Sequence, residues 1–145
     1  MATDSYFLNH CRTNLQVGAV EGNCLCYVDA DEYNLIAGNT YQVLSIPERC
    51  FVRRVTVISI VAEGGSATIK VGDGEDDDGW DTDVDVHTAS AWGLITVGDG
   101  AYATANGKVY WAADTIDIIP SDNLSAAGFW VIAEYFKLPD NDSNY

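Results

Sequence analysis

Nine acidic side chains fall between residues 71 and 107 of this chain, and no Lys or Arg lies among them. The densest part, Asp73-Gly74-Glu75-Asp76-Asp77-Asp78-Gly79-Trp80-Asp81, is rich in the oxygen ligands that hard divalent cations take. An EF-hand loop needs Gly at its sixth position and Glu at its twelfth; counted from Asp73, those positions hold Asp78 and Val84. What remains is an irregular calcium site built from Asp73, Glu75, Asp77 and Asp81, set against a hydrated acidic loop that holds no ion.

Hydrolytic chemistry has less to draw on. A glycosidase needs two carboxylates fixed across a cleft, one with a raised pKa, and acids crowded into a polar loop meet only half of that requirement. A Ser-His-Asp or Cys-His arrangement would have to use His10 or His87, and the Gly-x-Ser-x-Gly elbow is absent. His87 alternates with Asp83 and Asp85, which reads as a solvated strand face. Cys24 and Cys26 sit two apart on an expected strand and point the same way, a spacing unlike that of zinc sites. With Cys11 and Cys50 they read as small buried apolar residues, against a zinc site made with His10. The chain is expected to be a non-enzyme without a cofactor, calcium being the one candidate.

Strands are the elements that must position these groups. Ile69-Lys70-Val71-Gly72-Asp73-Gly74 returns as Ile95-Thr96-Val97-Gly98-Asp99-Gly100. Ile and Val two apart share one face of a pleated ribbon. Gly-Asp-Gly then reads as a turn, with glycines that tolerate positive φ and an Asp able to bond the backbone two residues on. Two copies are too few for a solenoid and mark two equivalent strand exits.

Longer runs fit the same scheme. Residues 40–46 read as a strand with Tyr41, Val43 and Ser45 on one face, ended by Pro47, which cannot donate to a ladder. Residues 51–62 are apolar on both faces, Phe51, Val55, Val57 and Val61 against Val52, Ile58, Ile60 and Ala62, so a central strand covered on both sides is expected. Residues 128–138 repeat this, with Phe129, Val131, Ala133 and Tyr135 opposite Trp130, Ile132, Phe136 and Leu138. Shorter strands fall at 66–71, 82–88, 92–97, 108–113 and 115–119. The pattern is an all-β chain of eight or nine strands, an antiparallel, jelly-roll-like β-sandwich over 35–138. Residues 1–34 read as an N-terminal arm or edge segment, and 139–145 as a flexible tail.

The formal net charge is −15. Nucleic-acid binding needs Lys and Arg to replace counterions on phosphates, so neither nucleic acid nor an anionic membrane is an expected partner. No stretch approaches a membrane span, and the first residues do not form a signal peptide. The cysteines are therefore expected to be made reduced, in a cytoplasm. Two strands apolar on both faces exceed what one small sandwich needs. Trp130, Tyr135 and Phe136 are accordingly candidates for an interface between copies.

The stretch Leu35-Ile36-Ala37-Gly38-Asn39-Thr40-Tyr41-Gln42-Val43 followed by Ile46-Pro47 resembles a pattern in virion proteins of tailed bacteriophages. So does the series Ser66 to Gly74 with its acidic Gly-aromatic loop, then Gly100-Ala101-Tyr102, Gly107-Lys108-Val109-Tyr110, Ala113-Asp114-Thr115-Ile116-Asp117-Ile118 and a closing aromatic strand. Over residues 35–138 the chain is similar to β-sandwich head-decoration, or cement, proteins. The resemblance implies a structural protein on the capsid exterior, assembled in the host cytoplasm, bound to the major capsid protein and preferably trimeric. Arg49, Arg53 and Arg54 would then contact the shell while the acidic loop faces water. The competing reading is a carbohydrate- or receptor-binding module of a fibre or tail tip, with Trp80 and Trp92 stacking on sugar rings.

Overall fold

The acidic loop sits at the tip of a hairpin. β5 (Thr68–Gly72) and β6 (Asp81–Asp85) pair antiparallel across it. Outward from that tip, β4 (Cys50–Val61) pairs with β7 (Leu94–Val97), β3 (Tyr41–Ile46) with β9 (Asp114–Pro120), and β2 (Glu21–Asp29) with β10 (Gly128–Lys137), all antiparallel. Rolling this one long ribbon onto itself gives the strand orders β2-β10-β4-β7 and β3-β9-β5-β6. This interleaving is that of a jelly roll.

The computed structural model describes residues 11–15, 21–88 and 92–139. Within them β1 (Cys11–Leu15) adds to the free edge of β2, and β8 (Lys108–Tyr110) pairs with β4 beyond the end of β7, giving a six-stranded sheet facing a four-stranded one. The segment before residue 35 thus supplies one strand at the sheet edge and another inside it. Two single-turn helices, α1 (Ala30–Tyr33) and α2 (Ala101–Thr104), join strands; the Asp29 carboxylate caps the first by accepting from the Asp31 N–H at 3.1 Å.

The core lies between the sheets. Phe129, Val131, Ala133 and Tyr135 of β10 point into it, as the alternation predicts, and Trp130, Ile132 and Phe136 lie half-buried on the outer face. β4 departs from the expectation. The register with β10 slips between Glu134–Arg54 and Tyr135–Val52, leaving Arg53 as the extra residue of a bulge. The bulge turns Arg53 and Arg54 outward together and moves Val55 and Val57 to the same inner face as Val52. Val61 does not share that face: it is exposed, as is Ile60, so β4 is not covered on both sides. A slip at Val43 acts likewise in β3, burying both Val43 and Leu44 and leaving Ser45, expected on the buried face, exposed.

The β4–β5 connection turns at Gly64-Gly65, both with positive φ (88° and 62°), and no other side chain or strand approaches within 4 Å of where a Cβ would stand on either.

The sidedness of β10 has a direct test. Phe129→Ala should cost about 3–5 kcal/mol, the range for truncating a buried aromatic, and Trp130→Ala less than half of that, by urea denaturation. Equal losses would contradict the assignment of faces.

Candidate functional site

Asp73 leaves β5 at the point where the acidic loop begins, and its side chain is wholly buried. Five donors converge on its carboxylate. Lys108 Nζ lies 2.6 Å away, the Tyr110 hydroxyl 2.8 Å and the Tyr102 hydroxyl 3.2 Å, while the N–H groups of Glu75 and Asp76 donate at 2.9 and 3.0 Å. Trp80 Nε1 donates to the Tyr110 hydroxyl at 3.0 Å, and the Trp80 ring packs edge-on against Tyr102. Lys108 also reaches Glu75 at 3.2 Å and lies over the rings of Tyr102 and Tyr110.

Burial alone would raise the Asp73 pKa, but the hydrogen bonds from Lys108, Tyr110 and the two backbone amides outweigh it and hold the carboxyl below its usual range. Burial would lower Lys108, but the partners Asp73, Tyr102 and Glu75 raise it instead. Tyr110 is pushed up by burial and by the Asp73 charge, against the lowering effect of Trp80. The cluster therefore stands as carboxylate, ammonium and neutral phenols at neutral pH. It has no poised proton, and the carboxylate has no access to a substrate.

The second copy of the repeat joins the same structure. Asp99 accepts from the Thr82 N–H and hydroxyl, both at 3.1 Å, and the Gly100 N–H donates to the Trp80 carbonyl at 3.1 Å. The repeat glycines do not adopt positive φ, contrary to the sequence-based expectation. They are needed for close approach: a Cβ on Gly98 would collide with the Trp80 carbonyl oxygen, and one on Gly72 with that of Asp76. Both copies thus fold against the Trp80 segment.

Of the four residues expected to hold calcium, Asp73, Glu75 and Asp77 line one open cleft with Asp76, and Asp81 lies on β6. The Asp73 side chain is enclosed, Glu75 is largely exposed beside Lys108, Asp77 pairs with Lys70 at 3.3 Å, and Asp81 is buried. Among the described residues, the three carboxylates that come within ligand distance of one another are Asp76, Asp77 and Asp78. His87 is not simply solvated: its Nδ1 lies 2.7 Å from the Ala67 carbonyl oxygen and 3.0 Å from Asp85. Cys24, Cys26 and Cys50 are buried; His10 lies outside the described residues.

Trp80 is 1% exposed and unavailable to a sugar, whereas Trp92 is 94% exposed. Tyr135, proposed for an interface, is a core residue; Phe136 stacks with Phe51 and Trp130 packs on Tyr27. Arg53 and Arg54 share Glu134 at 3.8 and 2.6 Å and line a shallow cleft with Phe51, Val97 and Ala103. Arg49 stands apart, with φ at 59° and its guanidinium donating to the Pro139 carbonyl at 3.3 Å.

Sequence reasoning missed Lys108, Tyr102 and Tyr110 as the partners of Asp73. One signal was present: Lys108 and Tyr110 stand two apart, hence on one strand face, at the first cation after the acidic stretch. Asp117, also missed, is buried within β9 with the Thr115 hydroxyl donating to it at 2.6 Å. Burial, then the charges of Asp114 and Asp73, push its pKa up to about 6 against that hydrogen bond.

No family model and no curated protein matches this sequence. Solved structures do share its fold. A chain of the capsid of Ralstonia phage GP4 superposes with a TM-score of 0.63 at 14% identity, over 89% of this chain and 92% of that one. A chain of the acidic stable capsid structure of Helicobacter pylori bacteriophage KHP30 gives 0.58 at 12%, over 90% and 94%. A chain of the cyanophage Pam1 capsid asymmetric unit gives 0.55 at 13%, over 95% and 93%. Coverage near nine-tenths in both directions means that the matched chains are close to this one in length.

Two substitutions probe the cluster. Lys108→Met strands a buried carboxylate and should cost about 3 kcal/mol or more, whereas adding Asp73→Asn should cost less than the sum of the single changes. Asp73, with its lowered pKa, contributes stability that is present above the ordinary carboxylate range and lost as pH falls through its native value. Asp117 has the opposite sign: with its raised pKa, stability falls as pH rises from the ordinary carboxylate range to about 6 and is level above that. Asp117→Asn should therefore add on the order of 1–3 kcal/mol at pH 7 and nothing below about pH 4, measured by chemical denaturation at both values.

Proposed function

We propose that this protein is a non-enzymatic accessory subunit of a phage capsid, a decoration or cement protein that binds the outside of the shell. The supporting observation is a jelly roll shared, over nearly the whole of both chains, with similarly small chains of three phage capsid structures. Fold by itself does not fix function, and the chemistry of the polar cluster agrees with the reading. Its groups are enclosed and mutually satisfied, as suits a scaffold. A subunit that binds only where shell subunits meet adds its binding free energy to the assembled form and so strengthens it by mass action.

In this reading the partner is the major capsid protein. Arg53 and Arg54, presented together by the β4 bulge, and Arg49 meet the shell, and copies gather in threes as the family resemblance implies. The net charge of −15 keeps free copies apart during synthesis in the host cytoplasm. Purified protein added to shells that lack it should bind to saturation and raise the temperature at which they disrupt. The Arg53→Glu, Arg54→Glu double variant should lower occupancy about tenfold or more at equal concentration. Absence of binding, or occupancy unaffected by the charge reversal in a variant that still folds, would refute this reading.

A further inference from the structure

Two sheet edges lie along one side of the sandwich, and they are treated differently. β6 carries Asp81, Asp83 and Asp85, charges that deter pairing by another strand. β7, Leu94-Ile95-Thr96-Val97, carries none. It bonds to β4 on one side, and among the described residues no backbone group pairs with the other. Ile95 and Val97 are 62% and 54% exposed, and Trp92 just before them is 94% exposed. Soluble β proteins normally blunt or cover such an edge, so an uncharged one bearing large apolar side chains marks a site of contact.

The surrounding charges decide what covers it. Asp99 follows β7 almost directly and is bound to Thr82 at the start of β6. A second copy pairing β7 with β7 about a two-fold axis would bring no cation to Asp99, because residues 71–107 hold no Lys or Arg. An acidic partner would be repelled there. We infer that β7 is completed by an extended segment of another protein, apolar at alternate positions and carrying Lys or Arg where it passes Asp99 and Asp83. Its backbone adds a strand to the larger sheet, its apolar side chains lie beside Ile95 and Val97, and its cation meets the aspartates. The excursion at residues 98–107 ends the edge after Val97, so the contact spans four residues. It is weak singly and becomes firm where many copies engage one surface. The inference rests on the capsid reading only for the source of the segment.

The test uses the free protein with two synthetic peptides, Lys-Thr-Val-Thr-Val-Thr-Lys and its counterpart with Glu at both ends. The lysine peptide should slow amide hydrogen exchange at Leu94–Val97 and shift Trp92 emission to the blue, and the glutamate peptide should do neither. Ile95→Lys and Val97→Lys should each weaken the lysine peptide about tenfold or more, with thermal unfolding of the free protein unchanged. No protection, or equal protection by both peptides, would overturn the inference. So would protection that grows with protein concentration alone, which would make a second copy the occupant. Peptide binding by a protein that ignores shells would remove the capsid reading and leave this one standing.

Discussion

A carboxylate taken wholly out of water must be matched by donors, or the fold cannot hold it. In this protein that carboxylate is Asp73, and its donors come from three parts of the chain: the loop that follows it, α2, and β8. These parts meet nowhere else in sequence. The tip of the rolled ribbon and the interruption between β7 and β8 are thereby locked to one another. The lock also solves an electrostatic problem, because a loop dense in aspartates would repel itself outward if its first residue were not fixed inside. Pairing of this kind gains little over an apolar core of the same volume. Its effect is to select one arrangement of loop and strand.

The two faces of the sandwich divide the physical work. The four-stranded sheet and its loops carry the densest acids, including the buried Asp117 and Asp81, which meets Asp99 from the end of β7. In that pair burial, then the neighbouring Asp99, raises Asp81, and the Thr82 donors lower Asp99. The six-stranded sheet shows aromatic and branched side chains on its outer face, interrupted by the two arginines of the bulge. One inserted residue in β4 makes this possible. Without it Arg53 and Arg54 would fall on opposite faces, and one guanidinium would point into the core.

Much of this was written in the order of residues. The alternation in β10, the turn after each Ile-x-Val strand and the spacing of strands all specify an antiparallel sandwich. The jelly-roll order follows once the 73–80 loop is seen as the ribbon's tip. What the residue pattern concealed was local irregularity. Bulges at Val43 and Arg53 shift the buried set by one position, and a period-two reading has no means of placing them. The polar cluster was hidden for a different reason. The acids of 71–107 look like one hydrated patch, and only the fold shows that Asp73 turns inward while Asp77 turns out. Its partners lie about 30 residues on, beyond the reach of any local motif.

The Gly64-Gly65 turn differs from every other connection described above. It joins β4 to β5, its two glycines bear no charge, and nothing stands within 4 Å of where a Cβ would be on either. Foreign sequence placed there would leave both Asp73 and the β7 edge untouched, since loops of this kind accept added length at small entropic cost. If many copies cover a particle, that turn is the natural point from which to display an epitope or label in a dense, regular array.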